Sequence, residues 1–387
     1  MSKTYKVAIV GCGGIGHAHM DGYSRLDNVE VIAAVDPLEA ARQTYIGHYD
    51  IPKGYASIEE MLEHEKPDIV SVCTWHLLHP APTIAAAKAG VPGIICEKPM
   101  AIGMAAADSM VDACEASGSK LIISHQRRFT PGWERARKLV AEGAIGDPIF
   151  AKNRVAEGLA NWGTHSIDGT RFVLGDPMPD WVMGGVERKT DRYERDTAIE
   201  DACIGLVHFD TGVELFIESD LEREGAGAGY FQIQGSEGML DVKETELRLF
   251  NASTSGWQDI DLKLEKGQQA IGGETNAAQV AELIAWIEGG PEHRGSGKQA
   301  RVTVEIMMAI YESARHNTRV TLPLQEKSYP LDRMIEEGKL PLEQEGPYDI
   351  RGFLKREGID EARYAELWAQ GKGHHGIMRE LDKERKA

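Results

Sequence analysis

The feature that most constrains this chain is a glycine pattern that directly follows a short apolar run near the N-terminus. Residues 6–10 (KVAIV) predict a buried β-strand, and they run straight into a G-x-G-x-x-G turn made by Gly11, Gly13 and Gly16. A helical pattern follows to about residue 25. In a dinucleotide site the first glycine permits the tight turn, and the second lets the backbone approach a pyrophosphate. The third allows helix and strand to pack closely, so the pattern predicts a dinucleotide-binding turn.

Two further features of this region favour NAD as the dinucleotide. Gly14 and Ile15 fall at the start of the predicted helix, where free backbone N–H groups and the helix dipole favour a phosphate. Asp36 closes a second predicted strand (31–35) at roughly the 20-residue offset of a ribose-binding acid. A carboxylate there accepts hydrogen bonds from a ribose 2′-hydroxyl and repels a 2′-phosphate, and residues 37–39 contain no arginine. The alternative is a merely structural glycine turn.

Composition and charge restrict the class of protein. A chain of 387 residues with 42% hydrophobic and 27% charged residues is typical of a soluble protein with two domains. A formal net charge of -18 disfavours nucleic acid and anionic membranes as partners. No apolar run approaches the ~18 residues of a membrane span, and the first apolar run is a strand rather than a signal peptide. Five scattered cysteines without a C-x-x-C pair predict neither zinc nor disulfides, so we expect a cytoplasmic protein.

Two patterns of predicted secondary structure divide the chain. Strands predicted at 6–10, 31–35, 69–74, 93–96 and 121–124 alternate with helices such as 84–89 and 105–116, which indicates a parallel sheet. Later strands are predicted at 149–155, 181–188, 203–209, 213–218, 230–234 and 246–250, followed by helices at 277–287 and 303–317. The predicted fold is α/β, with an N-terminal Rossmann domain (1–126) and a C-terminal α+β substrate-binding domain (127–325). The second domain contains a large open, mostly antiparallel sheet.

The remaining part of the chain is a charged C-terminal extension (326–387) with short helical patches such as 361–369. It either wraps a neighbouring subunit or is partly disordered. The pair His374-His375 within it is predicted to lie at the surface. One face of the second sheet has few elements left to cover it, which predicts a homo-oligomer formed through that domain.

A lysine at the end of a predicted strand is the first candidate catalytic residue. Glu97-Lys98-Pro99 follows the strand at 93–96, and ligands of such sheets bind beyond the carboxyl ends of the strands. A lysine partly desolvated beside a nicotinamide has a lowered pKa, which suits proton transfer. The proline fixes the turn, and a cis bond there would re-aim the lysine. The alternative is a surface lysine before a loop proline.

The second candidate cluster is the octet 161–168, which contains Asn161, Trp162, His165 and Asp168. If a helix begins near Gly163, His165 and Asp168 lie on one face, and the carboxylate orients the imidazole as a base for a hydroxyl proton. A helix-start histidine with a capping acid is equally compatible with the spacing. A metal site is a third reading, but no other residue has convincing ligand spacing, so no metal is predicted.

Two other pairs of residues are weaker candidates. His76 and His79 follow a strand end, so they either approach the cofactor or are solvated. Arg127 and Arg128 lie where the two domains meet, and they either hold a polar substrate or pair with the acidic surface.

Taken together, the order and spacing of these motifs resemble the Gfo/Idh/MocA family of sugar and cyclitol oxidoreductases over about residues 5 to 325. The resemblance is carried by Gly11-x-Gly13-x-x-Gly16, Asp36, the segment 74–79, Glu97-Lys98-Pro99, Arg127-Arg128-Phe129, the segment 142–146 and Gly163-x-His165-x-x-Asp168.

The resemblance implies an NAD-dependent dehydrogenase that oxidises a secondary hydroxyl of a sugar, sugar derivative or cyclitol, in a homodimer or homotetramer. Lys98 would orient the hydroxyl, and His165 would take its proton while a hydride leaves the same carbon for NAD⁺. The implied cofactor-binding residues are Gly11, Gly13, Gly14, Ile15, Gly16, Asp36, Thr74, Trp75, His76, His79, Glu97 and Lys98. The implied substrate-binding residues are Lys98, Arg127, Arg154, Asn161, Trp162 and His165.

Three departures from the family pattern leave the substrate open. Inositol dehydrogenases of the family typically carry an aspartate at the position of Asn161, and an amide cannot act as a base, so proton transfer falls to Lys98 and His165. Trp75-His76 replaces the usual Pro-Asn, and the extension has no counterpart. An enzyme that retains NAD and acts on glycosides through a transient 3-keto sugar uses the same residues and is an alternative. A non-catalytic NAD- and sugar-binding regulator is the third possibility.

Overall fold

A computed structural model describes residues 3–221, 230–264 and 271–386 of the chain. The strands are β1 (Tyr5–Val10), β2 (Val29–Val35), β3 (Lys53–Tyr55), β4 (Ile69–Val72), β5 (Gly93–Cys96), β6 (Lys120–Ile123), β7 (Pro148–Val155), β8 (Pro179–Glu187), β9 (Thr190–Glu194), β10 (Thr197–Ala198), β11 (Ala202–Phe209), β12 (Glu214–Ser219), β13 (Phe231–Gly235), β14 (Gly238–Val242), β15 (Leu247–Asn251), β16 (Gln258–Asp259), β17 (Val320–Thr321) and β18 (Gln344–Asp349). The helices are α1 (Gly14–Tyr23), α2 (Glu39–Tyr49), α3 (Ile58–His64), α4 (Pro80–Lys88), α5 (Met104–Ser117), α6 (Pro131–Ala141), α7 (Thr164–Val173), α8 (Gly273–Ile287), α9 (Gly297–His316), α10 (Pro330–Glu336), α11 (Glu361–Ala369) and α12 (His374–Lys386).

The N-terminal domain is built on a parallel sheet of six strands in the order β3-β2-β1-β4-β5-β6. Side chains on both faces of β1 are buried: Val7 and Ile9 pack on one side, Ala8 and Val10 on the other. Because helices cover both faces, the central strands are continuous apolar runs rather than alternating ones. The predicted Rossmann-type sheet is confirmed, and the short edge strand β3 is an addition to the prediction.

The second sheet has nine strands in the order β16-β15-β14-β13-β7-β12-β11-β8-β17. Only β7 and β12 pair in parallel among its neighbouring strands, so the predicted open, mostly antiparallel sheet is confirmed. Helix α9 packs on β8 and β11, and it covers one face. On the other face Leu206 stands opposite Met183 and Phe216, and Met183 is 47% exposed. This apolar face therefore stays uncovered by the described residues of the chain.

Helix α8 joins the N-terminal domain although it follows the second sheet in the chain. It packs against α1, where Asn276 Nδ2 donates to the carbonyl of Ala18 at 2.8 Å. A Cβ on Gly22 would lie 2.6 Å from Cβ of Asn276, so the two helices are in close contact. Helix α8, from the C-terminal half of the chain, thus completes the helix layer on this side of the first sheet. The domain boundaries at residues 126 and 325 stay predictions.

The C-terminal extension folds back over the N-terminal domain of its own chain, a placement that the sequence did not predict. Its strand β18 pairs in parallel with β9 and completes a small sheet in the order β10-β9-β18. Beyond it, α11 and α12 share a small apolar core with Leu354. Trp368 of α11 lies against His17 of α1, with ring centroids 4.1 Å apart. The extension therefore runs from the second domain to the glycine turn.

Candidate active site

The glycine turn after β1 has the shape that a dinucleotide requires. Gly11 has φ +102°, and a Cβ there would lie 2.6 Å from the carbonyl oxygen of Cys73. A Cβ on Gly16 would lie 2.7 Å from the carbonyl oxygen of Gly11, so helix and strand are in contact. A Cβ on Gly13 would meet nothing within 4 Å, which leaves an open cradle above the turn and beside the start of α1. These residues fit the pyrophosphate of NAD.

Asp36 is held in place beside the same turn. Its Oδ2 accepts a hydrogen bond from the backbone N–H of Cys12, and its Oδ1 accepts one from the N–H of Leu38, both at 2.9 Å. The carboxylate is thereby fixed at the end of β2, in the position of the ribose-binding acid.

The segment after β4 supplies one open polar atom and one histidine that joins two loops. The Thr74 hydroxyl is buried and has no hydrogen-bond partner among the described residues, so it is available to a bound group. His79 Nδ1 lies 2.8 Å from the carbonyl oxygen of Pro99, and Nε2 lies 3.1 Å from that of Thr74. His76 and His79 are both buried, so the solvated alternative is wrong. Both ring nitrogens of His79 face backbone carbonyls, so His79 joins the loops after β4 and β5, and its contact with the cofactor stays a prediction.

Glu97 supports the turn that carries Lys98. Its Oε1 lies 2.9 Å from Nε2 of the buried His19, and its Oε2 accepts a hydrogen bond from the Lys98 backbone N–H at 3.2 Å. The carboxylate therefore supports the turn from within the protein, and its contact with the cofactor stays a prediction. The Lys98–Pro99 peptide is cis, as the sequence allowed.

Lys98 has an unusual charge environment. Burial, followed by the nearby Arg195 guanidinium, lowers the pKa of Lys98 to about 8, while the carboxylates of Glu97 and Glu194 act in the opposite direction. A lysine of this pKa is mostly protonated at pH 7 but exchanges its proton readily.

The predicted pairing of His165 with Asp168 is wrong. Helix α7 begins at Thr164, close to the predicted start, but Asp168 accepts hydrogen bonds from Arg128 Nε at 2.8 Å and Nη2 at 2.7 Å. Asp168 Oδ1 also lies 3.2 Å from Nδ1 of His125. The fully buried guanidinium of Arg128 requires a counter-charge, and it holds the pKa of Asp168 well below its usual range. Asp168 therefore orients His125 rather than His165.

His165 is a neutral, buried imidazole with an open ring nitrogen. It is 5% exposed, and its Nδ1 has no hydrogen-bond partner among the described residues. Burial, then the positive charges of Arg127 and Lys98, hold the pKa of His165 well below its usual range. A neutral imidazole can accept a proton. The positive charge of Lys98 is close enough to help lower the pKa of His165.

The other predicted substrate-binding residues are distributed unevenly around His165. Arg127 is close enough for its charge to act on His165, and its Nε donates to Glu244 at 2.8 Å. Asn161 is buried in the π-helical turn Leu159–Gly163 before α7, and the neighbouring Trp162 is partly exposed.

Arg154 lies on the other side of the second sheet from His165. Asn153, the residue before it in β7, accepts a hydrogen bond from Thr170 of α7 at 2.9 Å. Successive side chains of a strand point to opposite faces, so Arg154 points away from α7, and its Nε lies 2.8 Å from Glu218. Within this chain Arg154 and His165 therefore lie on different sides of the sheet, and the role of Arg154 in binding substrate stays a prediction.

Two residues at the tip of the β9–β10 hairpin reach the site and were missed by the sequence analysis. Glu194 is 1% exposed and pairs with Arg195, and burial raises the pKa of Glu194. Both residues contact the imidazole of His76. Oε2 of Glu194 lies 3.2 Å from its Nδ1, and Nη1 of Arg195 lies 3.4 Å from its Nε2. No motif marks this hairpin, because its tip carries Arg195-Asp196 in the left-handed region instead of a glycine.

The described residues contain neither a candidate membrane span nor a candidate metal cluster. No helix in this part of the chain combines the length and apolar character needed to cross a bilayer. No group of three or more His, Cys, Asp or Glu side chains within it could hold a metal ion.

The chain matches two models of one family. Residues 5–125 match the oxidoreductase family with an NAD-binding Rossmann fold, and residues 158–322 match the C-terminal alpha/beta domain of the same family. D-apiose dehydrogenase from Paraburkholderia graminis is 27% identical over 361 residues, covering 85% of this chain and 92% of that protein. D-glucoside 3-dehydrogenase from Escherichia coli is 23% identical over 355 residues, covering 83% and 98%.

Solved structures give the same fold at low identity. A levoglucosan dehydrogenase in complex with NADH and levoglucosan has a TM-score of 0.74 at 21% identity, and covers 83% of this chain and 100% of that one. An aldose-aldose oxidoreductase from Caulobacter crescentus has a TM-score of 0.70 at 22% identity, with 83% and 100% covered. The chain therefore belongs to the Gfo/Idh/MocA family of oxidoreductases, and it is an enzyme of that class with an NAD-binding Rossmann domain.

Proposed function

We propose that this enzyme oxidises a secondary hydroxyl of a sugar, sugar derivative or cyclitol with NAD, and that Lys98 and His165 handle the proton. The observation that carries the proposal is that Lys98 follows β5 directly, beyond its carboxyl end, and that the buried His165 lies within reach of its charge. One is a lysine of lowered pKa, and the other is a neutral imidazole with an unpartnered nitrogen.

The two residues have complementary roles in this proposal. Oxidation of a secondary alcohol removes a proton from the oxygen and a hydride from the carbon that bears it. The Lys98 ammonium donates a hydrogen bond to the hydroxyl oxygen and stabilises the negative charge that develops there. His165 accepts the hydroxyl proton, which a neutral imidazole can do and an imidazolium cannot. Bound NAD supplies the hydride acceptor.

The substrate class is supported by the names of the relatives. They include dehydrogenases of D-apiose, D-glucosides and inositol, at 23 to 27% identity. Arg127, whose charge acts on His165, and the partly exposed Trp162 are compatible with a polyhydroxylated ligand. The identity of the substrate and of the oxidised hydroxyl is the part that the experiment must supply.

The test is NADH absorbance after mixing purified protein and NAD⁺ with cyclitols, aldoses, anhydrosugars and glycosides. We expect a steady rise with one class, and a loss of at least about a hundredfold in kcat for Lys98→Met and for His165→Phe. The matched controls are Lys298→Met and His316→Phe, whose side chains are largely exposed and pair with Glu115 and Glu312. We expect both controls to retain full activity.

Two results would contradict the proposal in different ways. Full activity in both Lys98→Met and His165→Phe would remove the assigned proton path. Product formation without accumulating NADH would favour the enzyme that retains NAD and passes through a 3-keto sugar. That alternative uses the same lysine and histidine. One relative is named a D-glucoside 3-dehydrogenase, which is compatible with oxidation at C3 of a glycoside.

A further inference from the structure

The C-terminal extension lies directly against the glycine turn. A Cβ on Gly14 would lie 2.3 Å from Cδ2 of His374, whereas the neighbouring Gly13 opens onto free space. Arg356 Nη1 lies 3.2 Å from the carbonyl oxygen of Cys12 and donates a hydrogen bond to it. Two side chains of the extension thus border the cradle in which a pyrophosphate would lie.

The side chain of Arg356 is held rigidly beside this cradle. Its Nε and Nη2 donate to the two carboxylate oxygens of Glu361 at 2.8 and 2.7 Å, and its guanidinium lies 3.9 Å from the ring centre of Tyr364. The side chain is only 10% exposed. A fixed guanidinium loses little conformational freedom when it binds an anion.

A chain of hydrogen bonds orients the His374 ring. The Tyr49 hydroxyl lies 2.6 Å from Nδ1 of His17, and Nε2 of His17 lies 3.4 Å from the hydroxyl of Tyr364. The Tyr364 hydroxyl lies 2.8 Å from Nδ1 of His374. When each hydroxyl donates to the Nδ1 beside it, the hydrogen of His374 is on Nε2, which lies 3.1 Å from the Cβ position of Gly14. With this tautomer, the series of hydrogen bonds ends in an N–H donor at the glycine turn that has no acceptor among the described residues.

Among the described cations of the extension, Arg356 is the one with a hydrogen bond to the glycine turn, at the carbonyl oxygen of Cys12. Its Nε and Nη2 are used by Glu361, so Nη1 is the part of the guanidinium that points to the turn. Arg356 also acts electrostatically on His374, which brings the two side chains into one site.

We propose that the extension supplies the second wall of the cofactor site, with His374 Nε2–H and the Arg356 guanidinium facing the diphosphate of NAD across the Gly13 cradle. The proposal rests on the NAD-binding part of the proposed function. It concerns an element outside the family pattern, because the family models end at residue 322. Their match does not include residues 356 and 374.

Binding of NADH and of ADP-ribose to the full chain without substrate tests this proposal, measured by isothermal titration. We expect Arg356→Met to raise both dissociation constants about ten- to a hundredfold, since a charge-assisted hydrogen bond is removed. His374→Ala should raise both at least about fivefold, while His374→Gln, which keeps a side-chain N–H donor, should recover part of the loss. Arg363→Met is the matched control: Arg363 lies on α11, in the same extension as Arg356, but pairs with Glu366 and Glu380, so the variant should bind both ligands as the wild type does.

Circular dichroism and the rate of proteolysis within the extension establish that each variant keeps its fold. Unchanged dissociation constants in folded Arg356→Met and His374→Ala would overturn the proposal. Tighter binding in either variant would also overturn it, because the extension would then compete with the cofactor. A wild-type protein that binds NADH but oxidises nothing in the sugar panel would refute the proposed reaction and leave this titration valid.

Discussion

Replacing Arg195 with methionine tests whether the charge of Arg195 lowers the pKa of Lys98. Arg195 is the second cause of the lowered pKa of Lys98, after burial. The substitution also removes the charge that counters the raised pKa of Glu194, so Glu194 becomes more protonated and favours the lysine ammonium less. The two effects oppose each other, but the direct repulsion by Arg195 is the larger cause, so we expect the pKa of Lys98 to rise.

The size of the effect follows from the pKa values. With a pKa of about 8, about one Lys98 side chain in eleven is neutral at pH 7; at the ordinary 10.5 it would be about one in three thousand. A neighbouring charge shifts a buried pKa by about 1 to 3 units. Because Arg195 is already paired with Glu194, we expect the lower end, about 1 unit, and therefore about tenfold less neutral lysine at pH 7.

Two assays measure this change in the pKa of Lys98. The first is the pH profile of kcat/KM with saturating NAD, in which the basic limb should move from near pH 8 to near pH 9. The second, independent of any substrate, is the NMR titration of ¹³C-methylated lysines, with Lys98 assigned by its absence in Lys98→Met. Lys189→Met, an exposed cation at the start of the same hairpin, is the control and should change neither reading. An unchanged or lower pKa of Lys98 in Arg195→Met would refute the electrostatic argument.

Three further predictions concern other parts of the molecule. Asp168→Asn should destabilise the chain by about 3 to 5 kcal/mol in thermal or denaturant unfolding, because it leaves the fully buried Arg128 without its bidentate partner; a loss below about 1 kcal/mol would contradict this. His17 and His374 have pKa values near 3 because burial favours their neutral forms, so the stability they confer is complete above the unfolded pKa of 6.5 and is lost as the pH falls toward 3. Proteolysis within the extension should therefore accelerate at about pH 5, and equal rates at about pH 5 and pH 7.5 would contradict the assignment. Met183→Lys should dissociate the predicted homo-oligomer in light-scattering measurements, and a wild type that is already monomeric would refute that prediction.

The parts of the fold that the sequence predicted are those fixed by local stereochemistry. Gly11 must adopt a positive φ, and Gly16 must allow a helix to touch the preceding strand, so the G-x-G-x-x-G turn defines its own geometry. The strands of the first sheet are apolar on both faces and are readable for the same reason. Lys98 was predictable because it follows such a strand directly.

The errors arose where a partner lies far away in the chain. The spacing of His165 and Asp168 puts both on one face of α7, but it cannot reveal that Arg128, 40 residues earlier, takes the carboxylate. Glu194 and Arg195 reach the site because the N–H groups of Arg195 and Asp196 are held by Asp349, more than 150 residues later. Contacts of this range are set by tertiary packing, and no local period encodes them.

The C-terminal extension therefore contacts both ends of the proposed cofactor site, so it can affect the rate at which NADH is released. Asp349 of β18 holds the hairpin tip at Lys98, while Arg356 and His374 lie at the glycine turn. A dehydrogenase with net turnover must release NADH in every cycle, whereas an enzyme that retains its cofactor need not. If the extension slows that release in a net dehydrogenase, Arg356→Met should raise kcat together with the NADH dissociation rate, measured by stopped flow. A faster dissociation rate with unchanged or lower kcat would exclude NADH release as the slow step. A wild type whose NADH dissociates more slowly than substrate turns over would favour the alternative that retains NAD, because the cofactor then stays bound through many cycles.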